Sequence, residues 1–231
     1  MNPPLTPEQL AALGRLDACT LANAIETFNV RLRNEGFTNG GLRCFFPRLA
    51  PIVGYAVTIK IRGSAPPTAA GLYPDRTDWW GYVQSLPTPH IVVAQDIASH
   101  PGVGALFGQV HLNIQRALGC VGIVTNGAVR SIPEAEALGL QIFAGNVSVS
   151  HAYTHIVEFG TPVEVDGLKV QSGELLHGDL HGVQSIPLAI AARIPPAAAR
   201  IAARKQELIA LCRSPEFSLE KLRAVIARES V

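Results

Sequence analysis

Charge is scarce in this chain. Only 16% of its 231 residues are Asp, Glu, Lys or Arg, and the formal net charge is +1. Such a chain has no basic field with which to hold nucleic acid. Its 48% hydrophobic content excludes a disordered protein. Long apolar runs are also missing, since none reaches the ~18 residues that a membrane span needs. The amino-terminal stretch MNPPLTPEQL is polar and has no signal-peptide core, so a cytoplasmic location without a membrane partner is expected. Cysteine is sparse and scattered: Cys19, Cys44, Cys120 and Cys212 form no CxxC pair. They read as buried free thiols rather than disulfides, and nothing marks one as catalytic. There is no internal repeat and no low-complexity tract.

What is present is an alternating pattern. Thr6 and Pro7 open an amino-terminal helix, with a break expected near Gly14 to Asp17. IVGYAVTIKIRG alternates as a strand, and DRTDWWGYVQSL reads as a short helix. From His90 to Phe143 the order is strand, helix, strand, helix, strand, which predicts two right-handed crossover units on a mostly parallel sheet. Within it, Ile123 to Thr125 should be buried strand, followed by a tight Asn126-Gly127 turn. Beyond Ala144, Asp166-Gly167, Ser172-Gly173 and Gly178-Asp179 signal turns between short β pieces. From Leu188 the chain turns helical, and IPPAAARIAARKQELIALCR carries a Pro-then-helix signature. The expected organisation is an α/β domain over 1–187 and a C-terminal helical extension over 188–231.

Three groups of residues carry candidate chemistry. A glycine-rich loop ending at Gly108 opens a helix, whose free backbone N–H groups and positive dipole end suit a carboxylate or phosphate. Arg130 follows the next strand, and ligands of such sheets lie beyond the C-terminal strand ends. It should therefore face Gly108, where a guanidinium grips a carboxylate with two hydrogen bonds. The competing reading is a salt bridge to Glu134, four residues on. Four of the seven histidines form two i, i+4 pairs, His151/His155 and His177/His181, the second wrapped around Asp179. A shared polar cleft is expected there, as metal ligands, acid/base groups or substrate contacts. SHAYTH lacks the glutamate of HExxH, which disfavours a zinc protease.

The stretches VGYAVTIKI, IVVAQD, GALFGQVHLNIQRALGCVGIVTNGAVRSIPEAEALGLQIFA and GLKVQSGELLHGDLHGVQSIP resemble the RraA-like family. The likeness runs from Leu5 to Pro187, and its GAVR core is the specific part. The family includes 4-hydroxy-4-methyl-2-oxoglutarate aldolases and the regulator of ribonuclease E activity. Members are often labelled menaquinone methyltransferases, but this chain shows no convincing methyl-donor site. The resemblance implies a swivelling β/β/α sandwich, here with N-terminal helices and a C-terminal helical arm, assembled as a trimer or hexamer. It implies divalent-metal lyase chemistry, with Mg2+, on pyruvate-type 2-oxo acids. The family's substrate loop falls on Gly108, Gln109, Val110 and His111, and its substrate arginine on Arg130. Its metal-binding aspartate falls on Ser131, and an acid common after the loop glycine is Gln109 here. Two carboxylate positions are thus neutral, so weak or absent magnesium binding is expected, with Asp96 and Glu134 the nearest replacement acids. A softer metal at the histidine cluster is a further expectation.

Three functions follow. The first is an aldolase or decarboxylase on a small carboxylate substrate. The second is a non-catalytic regulator that binds a protein partner, and the third a carboxylic-acid binding protein. Fold alone does not choose among them.

Overall fold

The computed structural model describes residues 4–68 and 73–227. The first three residues of the polar amino-terminal stretch and the end of the helical extension lie outside them. Thr6 caps α1 (Pro7–Gly14) through a reciprocal capping box with Gln9, and Asp17 caps α2 (Ala18–Glu26). β1 (Arg43–Cys44) and β2 (Ile52–Arg62) follow, then α3 (Arg76–Gln84), capped by Asp75. β3 (His90–Asp96), α4 (Gln109–Ala117), β4 (Cys120–Val129), α5 (Ile132–Ala137) and β5 (Gln141–Val147) form the expected alternation. β2, β3, β4 and β5 pair parallel in that order.

The parallel strands have both faces covered, which is why they read as near-continuous apolar runs. On one face Val57, Ile59, Val92, Ile123 and Ile142 share a core with Trp79 of α3, Leu112 of α4 and Ala135 of α5. On the other, Ala56, Val93, Val124 and Phe143 pack against a small hairpin of β7 (Val163–Val165) and β8 (Leu168–Val170). Asp166 and Gly167 both have positive φ at its turn, as a two-residue hairpin of this twist requires. β6 (His155–Phe159) pairs antiparallel with the C-terminal half of β2, and β9 (Leu175–Asp179) with its N-terminal half. β10 (Gly182–Ile186) completes an eight-stranded sheet beside β9.

A third core joins α1 and α2 to the start of α6 (Ile194–Arg213) through Leu13, Leu21, Ile25, Ile194 and Ala198. The helical extension is therefore rooted in packed structure. Its far end is not: α7 (Leu219–Ala227) buries no residue.

Three local expectations need correction. Asn126-Gly127 is not a turn, because β4 runs through it with a shifted register against β5. Gly178-Asp179 is strand, paired with Val183 and Gly182, and the chain reverses at Leu180 and His181 instead. All four cysteines are free, but only Cys120 is buried, where burial pushes its thiol up to about 11. Cys44 is half-buried, while Cys19 and Cys212 are exposed.

Candidate functional site

The irregularity in β4 is what aims Arg130. The Asn126 side chain accepts from the backbone N–H of Asp96 at 2.8 Å and donates to its carbonyl at 3.0 Å. It thereby occupies the ladder groups at the end of β3 and forces β4 to bulge. The Asp96 carboxylate then accepts from Ala98 N at 3.1 Å and Gly102 N at 2.9 Å, which ties down the loop after β3. That loop continues through buried Ala105, Leu106 and Phe107 to Gly108, the N-cap of α4.

Among the described residues no side chain caps α4, so its first N–H groups, on Gln109, Val110 and His111, have no partner. The Arg130 guanidinium lies against this helix start. A Cβ on Gly108 would sit 2.7 Å from Arg130 Nε and Nη2, so only glycine leaves room. Arg130 Nε is buried without a hydrogen-bond partner among the described residues. Glu134 does not serve it: its two carboxylate oxygens accept from Gln109 Nε2 at 3.0 Å and Asn113 Nδ2 at 2.7 Å. Among the described residues, Arg130 forms no salt bridge. A charged donor with no partner beside a helix start is a ready anion site.

His111 lies on the same first turn. Its Nδ1 is 2.5 Å from the Leu106 carbonyl oxygen, and the Trp80 ring stands edge-on at 6.3 Å. Burial pushes its pKa down, against the pull of the Leu106 carbonyl, and the charges of Arg76 and Arg130 lower it further. Val110 is 71% exposed, so its side chain is in solvent and only its backbone N–H is available to the cleft. Asn126, Asn113 and Trp80 were not foreseen from sequence. The one available signal was Asn113 standing four residues after Gln109 on a helix.

The two histidine pairs do not share a cleft. In the sheet His177 lies opposite Val53 and His155 opposite Arg62, nine residues along β2, or about 30 Å at the rise of a strand. His151 and His155 are at the Arg130 edge, each with Nδ1 turned to a nearby carbonyl, that of Ala152 or Tyr153. His177 is buried at the opposite edge against the Leu16 carbonyl, and burial lowers its pKa. Buried Asp179 accepts from Ala18 N at 2.8 Å and from His181 N at 2.8 Å, and lies 3.1 Å from His181 Nδ1. The i, i+4 spacing put each pair on one strand face or turn, and the topology then separated the pairs.

The family model described as RraA-like (Aldolase/RraA) matches residues 18–184. The chain belongs to the RraA-like family. A curated relative from Halalkalibacterium halodurans, named provisionally as a 4-hydroxy-4-methyl-2-oxoglutarate aldolase, is 33% identical over 84 residues. That match covers 36% of this chain and 40% of the relative, so the chain spans well under half of that protein. An uncharacterized protein of Pseudomonas syringae pv. tomato has the same fold, with TM-score 0.73 at 20% identity over 97% of this chain and 96% of that one. Streptomyces coelicolor RraAS2, described as an unusual member of the RNase ES inhibitor RraA family, superposes with TM-score 0.67 at 18% identity over 91% and 99%.

The RraA-like sheet and helices are thus this chain's fold, and its acids can be tested against the divalent cation that the resemblance implies. They do not fit it. Both oxygens of Glu134 are held by amide donors, and both oxygens of Asp96 by backbone N–H groups. Ser131 offers only a hydroxyl, at a left-handed position with φ 55° and ψ 43°. Among the described residues, no three His, Cys, Asp or Glu side chains converge as a ligand set. Magnesium binds through free carboxylate oxygens and retained waters, and Arg130 next to Ser131 adds repulsion.

Proposed function

We propose that the Arg130 cleft binds the carboxylate of a pyruvate-type 2-oxo acid and that the protein acts on it as an aldolase- or decarboxylase-type lyase. One observation carries this reading: a half-buried guanidinium whose buried Nε has no partner among the described residues, laid against a glycine that no other residue can replace without contact. The guanidinium and the N–H groups of Val110 and His111 would hold the carboxylate. The same donors would take up negative charge as a carbon–carbon bond breaks toward an enolate. Family membership and the provisional name of the aldolase relative support the reaction class.

Arg130→Lys keeps the charge and loses the fork, since lysine cannot make the two parallel bonds. Calorimetric titration with pyruvate and oxalate should show binding weaker by at least about tenfold, roughly 1.4 kcal/mol, with Tm little changed. Intact binding with a sharply lower Tm would make Arg130 a structural residue and end this reading. An oxaloacetate decarboxylation assay then separates lyase from binding protein, since saturable binding with no turnover leaves only the latter.

A regulatory reading is second. The engaged carboxylates favour it, because a chain that only binds has no use for free metal acids. The family's trimer or hexamer belongs to either version, and the exposed Phe217, Leu219 and Ile226 of the C-terminal arm support an assembled state.

A further inference from the structure

We infer that the His111 imidazole is the acid–base group of this cleft, exchanging a proton with the carbon next to the carbonyl of a bound 2-oxo acid. The inference rests on the carboxylate-binding reading above and extends it from binding to proton transfer.

The tautomer follows from one contact. The Leu106 carbonyl oxygen can only accept, so His111 Nδ1, 2.5 Å away, carries the hydrogen. In the neutral ring the lone pair is then on Nε2, the nitrogen that the Leu106 contact leaves free. The backbone of the Gly108 turn holds the ring in this state, much as a buried carboxylate orients a catalytic imidazole. The charged groups facing it are Arg76, at the start of α3, and Arg130, at the end of β4. Burial and both cations oppose protonation, so the ring is a neutral base at physiological pH. Trp80 covers its edge and limits the ways it can turn.

The step balances without a further reactant. The C3–H bond of the 2-oxo acid breaks and its proton goes to Nε2, which makes an imidazolium. The electron pair moves into C2–C3, and the oxygen becomes an enolate facing Arg130 and the N–H groups of α4. In the cleavage direction of an aldol the ring takes the proton of the C4 hydroxyl as the C3–C4 bond breaks, and the imidazolium then gives it to C3 of the enolate. A positioned base of this kind contributes on the order of a hundredfold or more. It also gives the cleft a proton carrier at the place where the family's acids are neutral.

The test is exchange of the pyruvate methyl protons in D2O, followed by proton NMR between pH 5 and 9, in wild type and His111→Asn. The asparagine Nδ2 stands where Nδ1 stood and keeps the bond to Leu106, while Nε2 is lost. Wild-type exchange should rise through an inflection below the usual histidine value and level off near neutrality. His111→Asn should exchange about a hundredfold more slowly while binding oxalate within a factor of about three of wild type. Equal exchange rates in the two proteins, or a wild type that binds oxalate but exchanges nothing, would overturn the role of His111 and leave the carboxylate site standing. A wild type that binds no oxalate would remove both. If His111→Asn fails to fold, the nitrogen NMR shifts of His111 decide: a neutral Nδ1–H ring at pH 7 supports the inference, and an Nε2–H ring overturns it.

Discussion

The two ends of β2 carry similar ingredients and use them in opposite ways. At the amino-terminal end, Asp179 is buried and spends its oxygens on the start of α2 and on His181, while His177 is turned to the Leu16 carbonyl. At the carboxy-terminal edge, Asp96 is equally buried and equally spent on its own loop, but Arg130 is left over. His177 also keeps one nitrogen unpaired. In a neutral ring that nitrogen is a bare acceptor, whereas Arg130 Nε is a donor on a permanent charge. Desolvating the second without a partner costs far more. Burial alone therefore fails to separate structural from functional polar groups here. What separates them is whether the group left without a partner is a permanently charged donor.

Asp179→Ala is the largest expected test of that contrast. It orphans the N–H of Ala18, the first residue of α2, and frees His181. The cost should be about 3 kcal/mol, or a fall in Tm of roughly 6–12 °C. Oxalate affinity, measured well below the new Tm, should not change. Lost binding with an unchanged Tm would reverse the assignment of the two ends. Gly108→Ala is the complementary change. The glycine has φ −102°, so alanine adds no backbone strain, but its methyl would meet the guanidinium at 2.7 Å. The flexible tip of Arg130 should swing away, leaving the fold within a degree or two of wild type in Tm. Oxalate binding should weaken at least about tenfold, roughly 1.4 kcal/mol. If affinity is kept, the guanidinium does not need its place over the helix start.

Much of this was legible because it is local. Thr6 announces α1 by a cap that involves only neighbouring residues, and Asp17 and Asp75, not read as caps from the sequence, cap α2 and α3 in the same local way. The βαβαβ run from His90 to Phe143 follows from periodicity, and the placement of Arg130 near Gly108 from the rule that such sheets open at their C-terminal edge. What was illegible depends on partners distant in sequence. Asn126-Gly127 has the composition of a hairpin turn, yet the Asn126 amide is claimed by the backbone of Asp96, thirty residues earlier. Gly178 reads as turn but packs against the Phe143 ring, where a side chain would collide. Glu134 looked like a partner for Arg130 because the two are four residues apart. The left-handed kink at Ser131 breaks the helical register between them and hands Glu134 to α4 instead.

That kink also sets the smallest of the expected effects. A non-glycine residue at φ 55° carries backbone strain that aspartate bears better than most, because its short polar side chain tolerates the left-handed region. Ser131→Asp should therefore fold normally and place a new carboxylate beside the cleft. Its oxygens would be free, unlike those of Asp96 and Glu134. Magnesium affinity by calorimetry should rise, by a few-fold rather than by orders of magnitude. Arg130 stays next door, and Gln109 and Asn113 still hold the nearest second acid. Gln109→Asp added to Ser131→Asp should increase it further, since it both removes a donor from Glu134 and adds a charge. If the double variant binds magnesium no better than wild type, neutral side chains at these two positions are not what limits the metal. If wild type already binds it at micromolar concentration and loses it with Asp96→Asn, the loop brace after β3 opens to take a ligand. The carboxy-terminal edge would then offer a ligand a carboxylate as well as the Arg130 guanidinium.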